Sequence, residues 1–332
     1  MTKALVVVLI AFFPLGVYAE GLPGVLRAAE GVNDTFRSLV IDAELAELRY
    51  QKSRIEAQDE VARLSAEATY SAALGDERRA YQTYYTDVVN AVYGAVIADY
   101  ERRIAERNAA VARDQVAAVE VRFRSGLVPE GDVIDARISL RSAEVEREEK
   151  TWAWLDANET LDTATGLRFE SITLPGVPSF LFRITLEHWI EADYAVARAR
   201  ITEQIAELRL ARLPANAARF DRLTLEAELD RARLARQRAV TASERAFESL
   251  RRRVTTFGEV LTIRSEQLVL SQASYREAQE RFSRGLLTAV QRDQTQIRVL
   301  TAERNLVEAQ RNYIRTILEY AAATGAAPED VL

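Results

Sequence analysis

Arg122-Phe123-Arg124-Ser125-Gly126-Leu127 returns as Arg281-Phe282-Ser283-Arg284-Gly285-Leu286, 159 residues further along the chain. The same spacing carries Ala143-Glu144 onto Ala302-Glu303 and Ala164-Thr165-Gly166 onto Ala323-Thr324-Gly325. Nearer the start of each half, Leu26 matches Leu186, and Glu47-Leu48-Arg49 matches Glu207-Leu208-Arg209, at a spacing of 160. Solenoid repeats have periods of roughly 20–50 residues, so this longer period reads as a tandem duplication of one large unit. The expected organisation is a leader over residues 1–19, a first helical repeat over 20–177 and a second over 178–332.

The composition around the repeated motif favours helix. The 332 residues include 13 Gly and 7 Pro, and no proline falls between Pro23 and Pro129 or between Pro214 and Pro328. Such gaps permit helices far beyond the ordinary 10–14 residues. Leu300, Val307 and Ile314 recur every seven residues, with Ile297 and Ile317 filling the stripe. Ile138, Val145 and Trp152 follow the same spacing in the first half. A seven-residue repeat makes a narrow apolar seam of coiled-coil type. Gly126 and Gly285 interrupt these helices, each after an Arg-Phe-x-x step. Glycine there suits a left-handed C-terminal cap, and Pro129 prevents the first helix from continuing. The expectation is all-α: elongated, coiled-coil-like hairpins in two tandem repeats, with linkers near 166–178 and 213–216.

Residues 4–15 form an apolar run after Lys3, followed by Val17-Tyr18-Ala19 with small residues at the −3 and −1 positions. That is the pattern of a secretory signal peptide, too short to favour a spanning helix. The chain has no cysteine and one histidine, His188. Disulfide frameworks, thiol catalysis, Cys-ligated zinc and His-based triads are therefore excluded. A net charge of −6 speaks against a nucleic-acid partner. No nucleophile–base pair, metal cluster or phosphate-binding glycine loop stands out, so neither an enzyme nor a cofactor is expected. Tyr81, Tyr84, Tyr85, Tyr93 and Tyr100 share one predicted helix, either as an interface belt or packed against neighbours. Arg251-Arg252-Arg253 reads as a solvated turn or a contact for lipid phosphate.

The duplicated Arg-Phe-x-x-Gly-Leu tips, the heptad-like arms and the leader together resemble the TolC-type outer membrane efflux family. The resemblance is best over 122–166 and 281–325, and thinner over 26–49 and 186–209. It implies a homotrimer whose helices form a periplasmic tunnel, docking the adaptor protein of an inner-membrane pump at its hairpin tips. The matching tip positions are Arg122, Phe123, Gly126 and Leu127 in the first repeat, and Arg281, Phe282, Gly285 and Leu286 in the second. Family members often carry an acid six residues after the tip glycine, near the tunnel constriction. Asp132 matches this, whereas the second repeat has Gln291, with Gln294 at another position open to an acid.

The family also inserts two transmembrane strands into each repeat, between its second and third helices. A spanning strand needs about 9–11 alternating residues. The corresponding segments here, near 63–81 and 214–236, are Ala-rich, charged and helix-prone. The nearest alternation, at 180–187, is one short run in the wrong place. The sequence therefore predicts the helical tunnel part with little or no β-barrel. Two functions follow from it: a component of an efflux or export conduit, or a barrel-less periplasmic structural or interaction protein that keeps the fold without transport. Both imply an exported protein of the periplasm or outer membrane.

Overall fold

A computed structural model describes residues 21–168, 174, 177 and 180–331. The expected leader, 1–19, and part of the linker at 166–178 lie outside the described residues. Among the described residues nine helices follow in order: α1 (Gly21–Val32), α2 (Asp34–Glu56), α3 (Glu60–Arg124), α4 (Glu130–Thr165), α5 (Leu186–Glu191), α6 (Tyr194–Ala211), α7 (Arg219–Ser283), α8 (Ala289–Thr324) and α9 (Pro328–Val331). No strand occurs among the described residues. The two halves repeat helix for helix, α3 and α7 having 65 residues each and α4 and α8 having 36 each. A 65-residue helix rises about 97 Å.

The caps explain where these helices stop. Asn33 and Asp59 open α2 and α3 by accepting hydrogen bonds from backbone amides of the first turn. Thr288 and Gln291 form a reciprocal capping box at the start of α8. Gly166 and Gly325 close α4 and α8 in the left-handed conformation, with φ of 70° and 74°.

Side-chain contacts fix the packing order. Tyr50 stacks on Tyr70 at 4.3 Å between α2 and α3. Arg113–Glu144 and Arg137–Glu120 pair α3 with α4, and Arg78 Nη1 and Glu101 reach Ala323 O and Arg304 of α8. Arg236–Glu203 joins α7 to α6. Each of these pairs runs antiparallel. α3 and α7 thus run the length of the molecule. In one half they are flanked by α2 and α6, and in the other by α4 and α8. α6 and α8 fill the space between α3 and α7, while α2 and α4 lie on the far side of α3.

The core sits around the middle of the long helices. Tyr84, Val88, Val89, Val92 and Tyr93 of α3 pack with Leu26, Leu161, Ile314 and Leu318. Trp189, Phe247, Leu250, Tyr313 and Ile317 form a second cluster. The tyrosines of α3 act as packing elements: Phe36 meets the rings of Tyr81, Tyr84 and Tyr85 at 5.2–6.3 Å. The run at 180–185 is irregular backbone, not a strand. Its alternation is nevertheless real, because Phe180, Phe182 and Ile184 pack on the second cluster while Leu181, Arg183 and Thr185 face out.

The two heptad seams have opposite fates. Leu300, Val307 and Ile314 of α8 are buried, because α8 has a long helix on either side. Ile138, Val145 and Trp152 of α4 are exposed, Trp152 at 66%. α4 has only α3 along its length, and it meets α3 through Val133, Leu161 and the residues between them on that face.

Glu101 ties three helices together, accepting from Lys150 Nζ of α4 at 2.9 Å and from Arg304 Nη2 of α8 at 3.2 Å. Burial alone would raise its pKa, but the two cations hold it below the usual carboxylate value. A depressed folded pKa stabilises the protein above the unfolded value, and that stability is lost as pH falls through the folded one. Glu101→Gln is expected to cost about 1 kcal/mol near neutrality. It should also flatten the acid limb of a Tm-against-pH profile, as measured by circular dichroism.

Candidate functional site: the hairpin tips, the free edges and the closed end

The α3–α4 and α7–α8 connections are near copies. Gly126 N donates to Phe123 O at 2.9 Å, and Leu127 N to Arg122 O at 2.9 Å. Gly285 N and Leu286 N repeat both bonds, to Phe282 O and Arg281 O, at 2.9 Å each. This is the paired closure of a Schellman cap, and it requires the positive φ of 70° and 74° that glycine adopts freely. The closure turns Leu127 and Leu286 outward, and Phe123 and Phe282 are exposed one turn back. Arg122 and Arg281 are exposed as well. The sequence-predicted tip residues thus occur together on each turn, and the antiparallel register of α3 with α8 puts both turns at one end of the molecule.

Asp132 is exposed in the first turn of α4, where the helix dipole favours an acid. Gln291 is exposed, but its side chain is engaged in the capping box of α8. Gln294 is exposed on the next turn. One residue at this tip was missed by sequence reasoning: Asp293, buried at 5% exposure. Its carboxylate accepts from Arg292 Nε at 2.7 Å, and the Arg292 guanidinium lies over the Phe282 ring at 4.5 Å. The available signal was the repeat itself, since the equivalent position in the first half is the apolar, exposed Ile134.

The helical layer ends in two uncovered edges, and both carry apolar side chains. On one side stand Ile41, Leu45 and Leu48 of α2 with Ile138, Val145 and Trp152 of α4. On the other stand Leu234, Ile263, Val269 and Leu270 of α7, Leu270 being 68% exposed.

The end opposite the tips is closed by turns. Residues 57–59 join α2 to α3, and 212–218 join α6 to α7. Arg212 Nη1 lies 3.7 Å from Asp59 Oδ2, which holds the two turns side by side. Three residues extend at most about 11 Å, against a hydrocarbon core of about 30 Å. The segments at 63–81 and 214–236, where strands would be sought, are helical apart from residues 214–218 of the second turn. No helix of the described residues is long and apolar enough to cross a membrane.

Comparison with known proteins agrees with this geometry. Residues 62–167, which cover most of α3 and all of α4, match the outer membrane efflux protein family. No curated protein sequence matches the chain. Among solved structures, the CmeC outer membrane channel of Campylobacter jejuni aligns with a TM-score of 0.62 at 12% identity, over 92% of this chain and 86% of that one. The outer membrane protein VceC of Vibrio cholerae aligns with a TM-score of 0.61 at 15% identity, over 92% and 96%. The MtrE outer membrane channel of Neisseria gonorrhoeae gives 0.55 at 16%, over 91% and 88%. At these identities the likeness is one of fold. Residues 62–167 are thus similar to the outer membrane efflux protein family, and the chain shares the helical fold of these outer membrane channels, with no strand among its described residues.

Proposed function

We propose that the chain is the helical-tunnel component of an efflux or export conduit, exported to the periplasm and working as a homotrimer. The observation that carries this reading is the pair of uncovered apolar edges on the two sides of one helical layer. Two different edges that satisfy one another form a heterologous contact, and a heterologous contact that turns through a third of a circle closes into a ring of three. The ring encloses a tunnel, with the six hairpin turns of three copies at one mouth. Those turns, with Phe123, Leu127, Phe282 and Leu286 outward, present the surface for the adaptor of an inner-membrane pump. Asp132, Gln291 and Gln294 lie within two turns of the tips and line the narrow end, where fixed charges set selectivity. One acid and two amides per copy make this a weaker acidic ring than two acids would. Transport in this scheme is geometric, with no catalytic step.

Because the turns at 57–59 and 212–218 leave no room for spanning strands, the membrane pore in this scheme comes from another protein. The test is the mass of the assembled protein together with export in cells lacking the chain. A species of three copies, and restored resistance to an exported toxic compound on complementation, support the conduit. The short turns also favour a second reading, a periplasmic interaction protein without transport. A soluble monomer whose loss leaves drug sensitivity unchanged would select that reading.

A further inference from the structure

We infer that the closed end of the molecule, formed by the turns at 57–59 and 212–218, is a docking surface for an anionic phospholipid membrane. This goes beyond the conduit proposal and does not depend on trimer formation. Residues 49–63 and 209–223 carry eight Lys and Arg against four Asp and Glu, a local surplus of four positive charges in a chain of net charge −6. Four of those cations, Arg49, Arg54, Arg219 and Arg222, have no ion-pair or hydrogen-bond partner among the described residues. Unpaired guanidinium groups present their donor forks to solvent, in the planar geometry that matches phosphate oxygens.

The most exposed large apolar side chains among these arginines are Ile55 at 84% exposure and Phe220 at 77%. Both flank a turn, and neither belongs to one of the hydrophobic core clusters. A stable protein interface needs about 800 Å² on each partner, and these two side chains, with Leu223 beside Phe220, supply little of that. A headgroup layer places no such demand, because each side chain enters the interfacial zone separately and aromatic rings favour that depth. The pattern of basic residues interleaved with a few apolar ones therefore fits a lipid surface better than a protein one. It also suits an end whose neighbouring turns are too short to enter the bilayer.

The experiment is co-sedimentation of the purified full chain with vesicles of phosphatidylcholine alone or with a third phosphatidylglycerol. Binding is expected only to the anionic vesicles, and 0.5 M salt should release it, since screening shortens the reach of the charges. Each basic residue near such a surface contributes about fivefold in partition, so R219Q/R222Q should weaken binding roughly 25-fold. Phe220→Ser should weaken binding to the anionic vesicles further. Arg251→Gln/Arg252→Gln, exposed on the middle of α7, serves as the control and should bind like the parent. All four arginines and Phe220 are exposed, so unchanged helicity by circular dichroism is expected for every variant. Equal binding by R219Q/R222Q and the parent would overturn the proposal, because the apolar run at residues 4–15 or another surface would then be responsible. So would absence of vesicle binding with retention on an outer membrane protein, which would make the partner a protein.

Discussion

Trp152→Glu is expected to convert the proposed trimer to monomers. The indole is 66% exposed in the single chain, on a helix edge that nothing in that chain covers. A trimer closed through the edges of α4 and α7 buries it three times over, once at each identical contact. Placing a carboxylate there without a partner costs several kcal/mol per site. Leu270→Glu on the opposite edge should have the same effect, since each contact needs both faces. Sedimentation velocity or light scattering reads the result as a fall from three chain masses to one. The thermal midpoint of the separated chain should stay put, because neither side chain belongs to its core. A trimer that survives both substitutions would show that these edges are not the assembly contact, and the tunnel reading would go with it.

How much of this was legible beforehand depends on which physical signal each residue carries. The duplication was readable because the turns need glycine at fixed places. Gly126, Gly166, Gly285 and Gly325 all have φ near 70°, and no other residue type would repeat at those positions by preference. The absence of strands at 63–81 and 214–236 was readable because charged, Ala-rich sequence cannot alternate across a bilayer. The fate of the heptads was not readable. Ile138–Val145–Trp152 and Leu300–Val307–Ile314 have the same period, and only the layer order decides which one a neighbour covers. Likewise the alternation at 180–185 reports burial against α7 and α8, with no second strand for it to pair with. Asp293 escaped because a lone acid in a helix looks like any solvated one until Arg292 is seen to fold over Phe282. The unpaired arginines of the closed end were equally hidden, since a partner that comes from a distant part of the sequence, as Asp59 does for Arg212, shows only in the fold.

The tips give the second large effect, and it separates fold from function. Gly126→Pro/Gly285→Pro is expected to abolish adaptor capture and export while leaving the helical content unchanged. Proline fixes φ near −65°, against the observed 70° and 74°. It also removes the N–H groups that Phe123 and Phe282 accept from at 2.9 Å. Each turn must therefore rearrange, at a cost of about 3 kcal/mol, and Leu127 and Leu286 leave their positions. Both turns lie far along the arms from the core clusters around Val88 and Leu250, so global unfolding should shift little. Gly126→Ala/Gly285→Ala is the graded companion. Nothing lies within 4 Å of the added methyl group, the N–H is kept, and the penalty is the left-handed backbone alone, about 1–2 kcal/mol per site. Export and adaptor pull-down should then be reduced rather than lost. If the proline pair exports like the parent and still captures the adaptor, docking does not use these turns and the conduit proposal fails at that mouth. If the alanine pair is as damaged as the proline pair, the surface contributed by the glycine itself matters more than the conformation it permits.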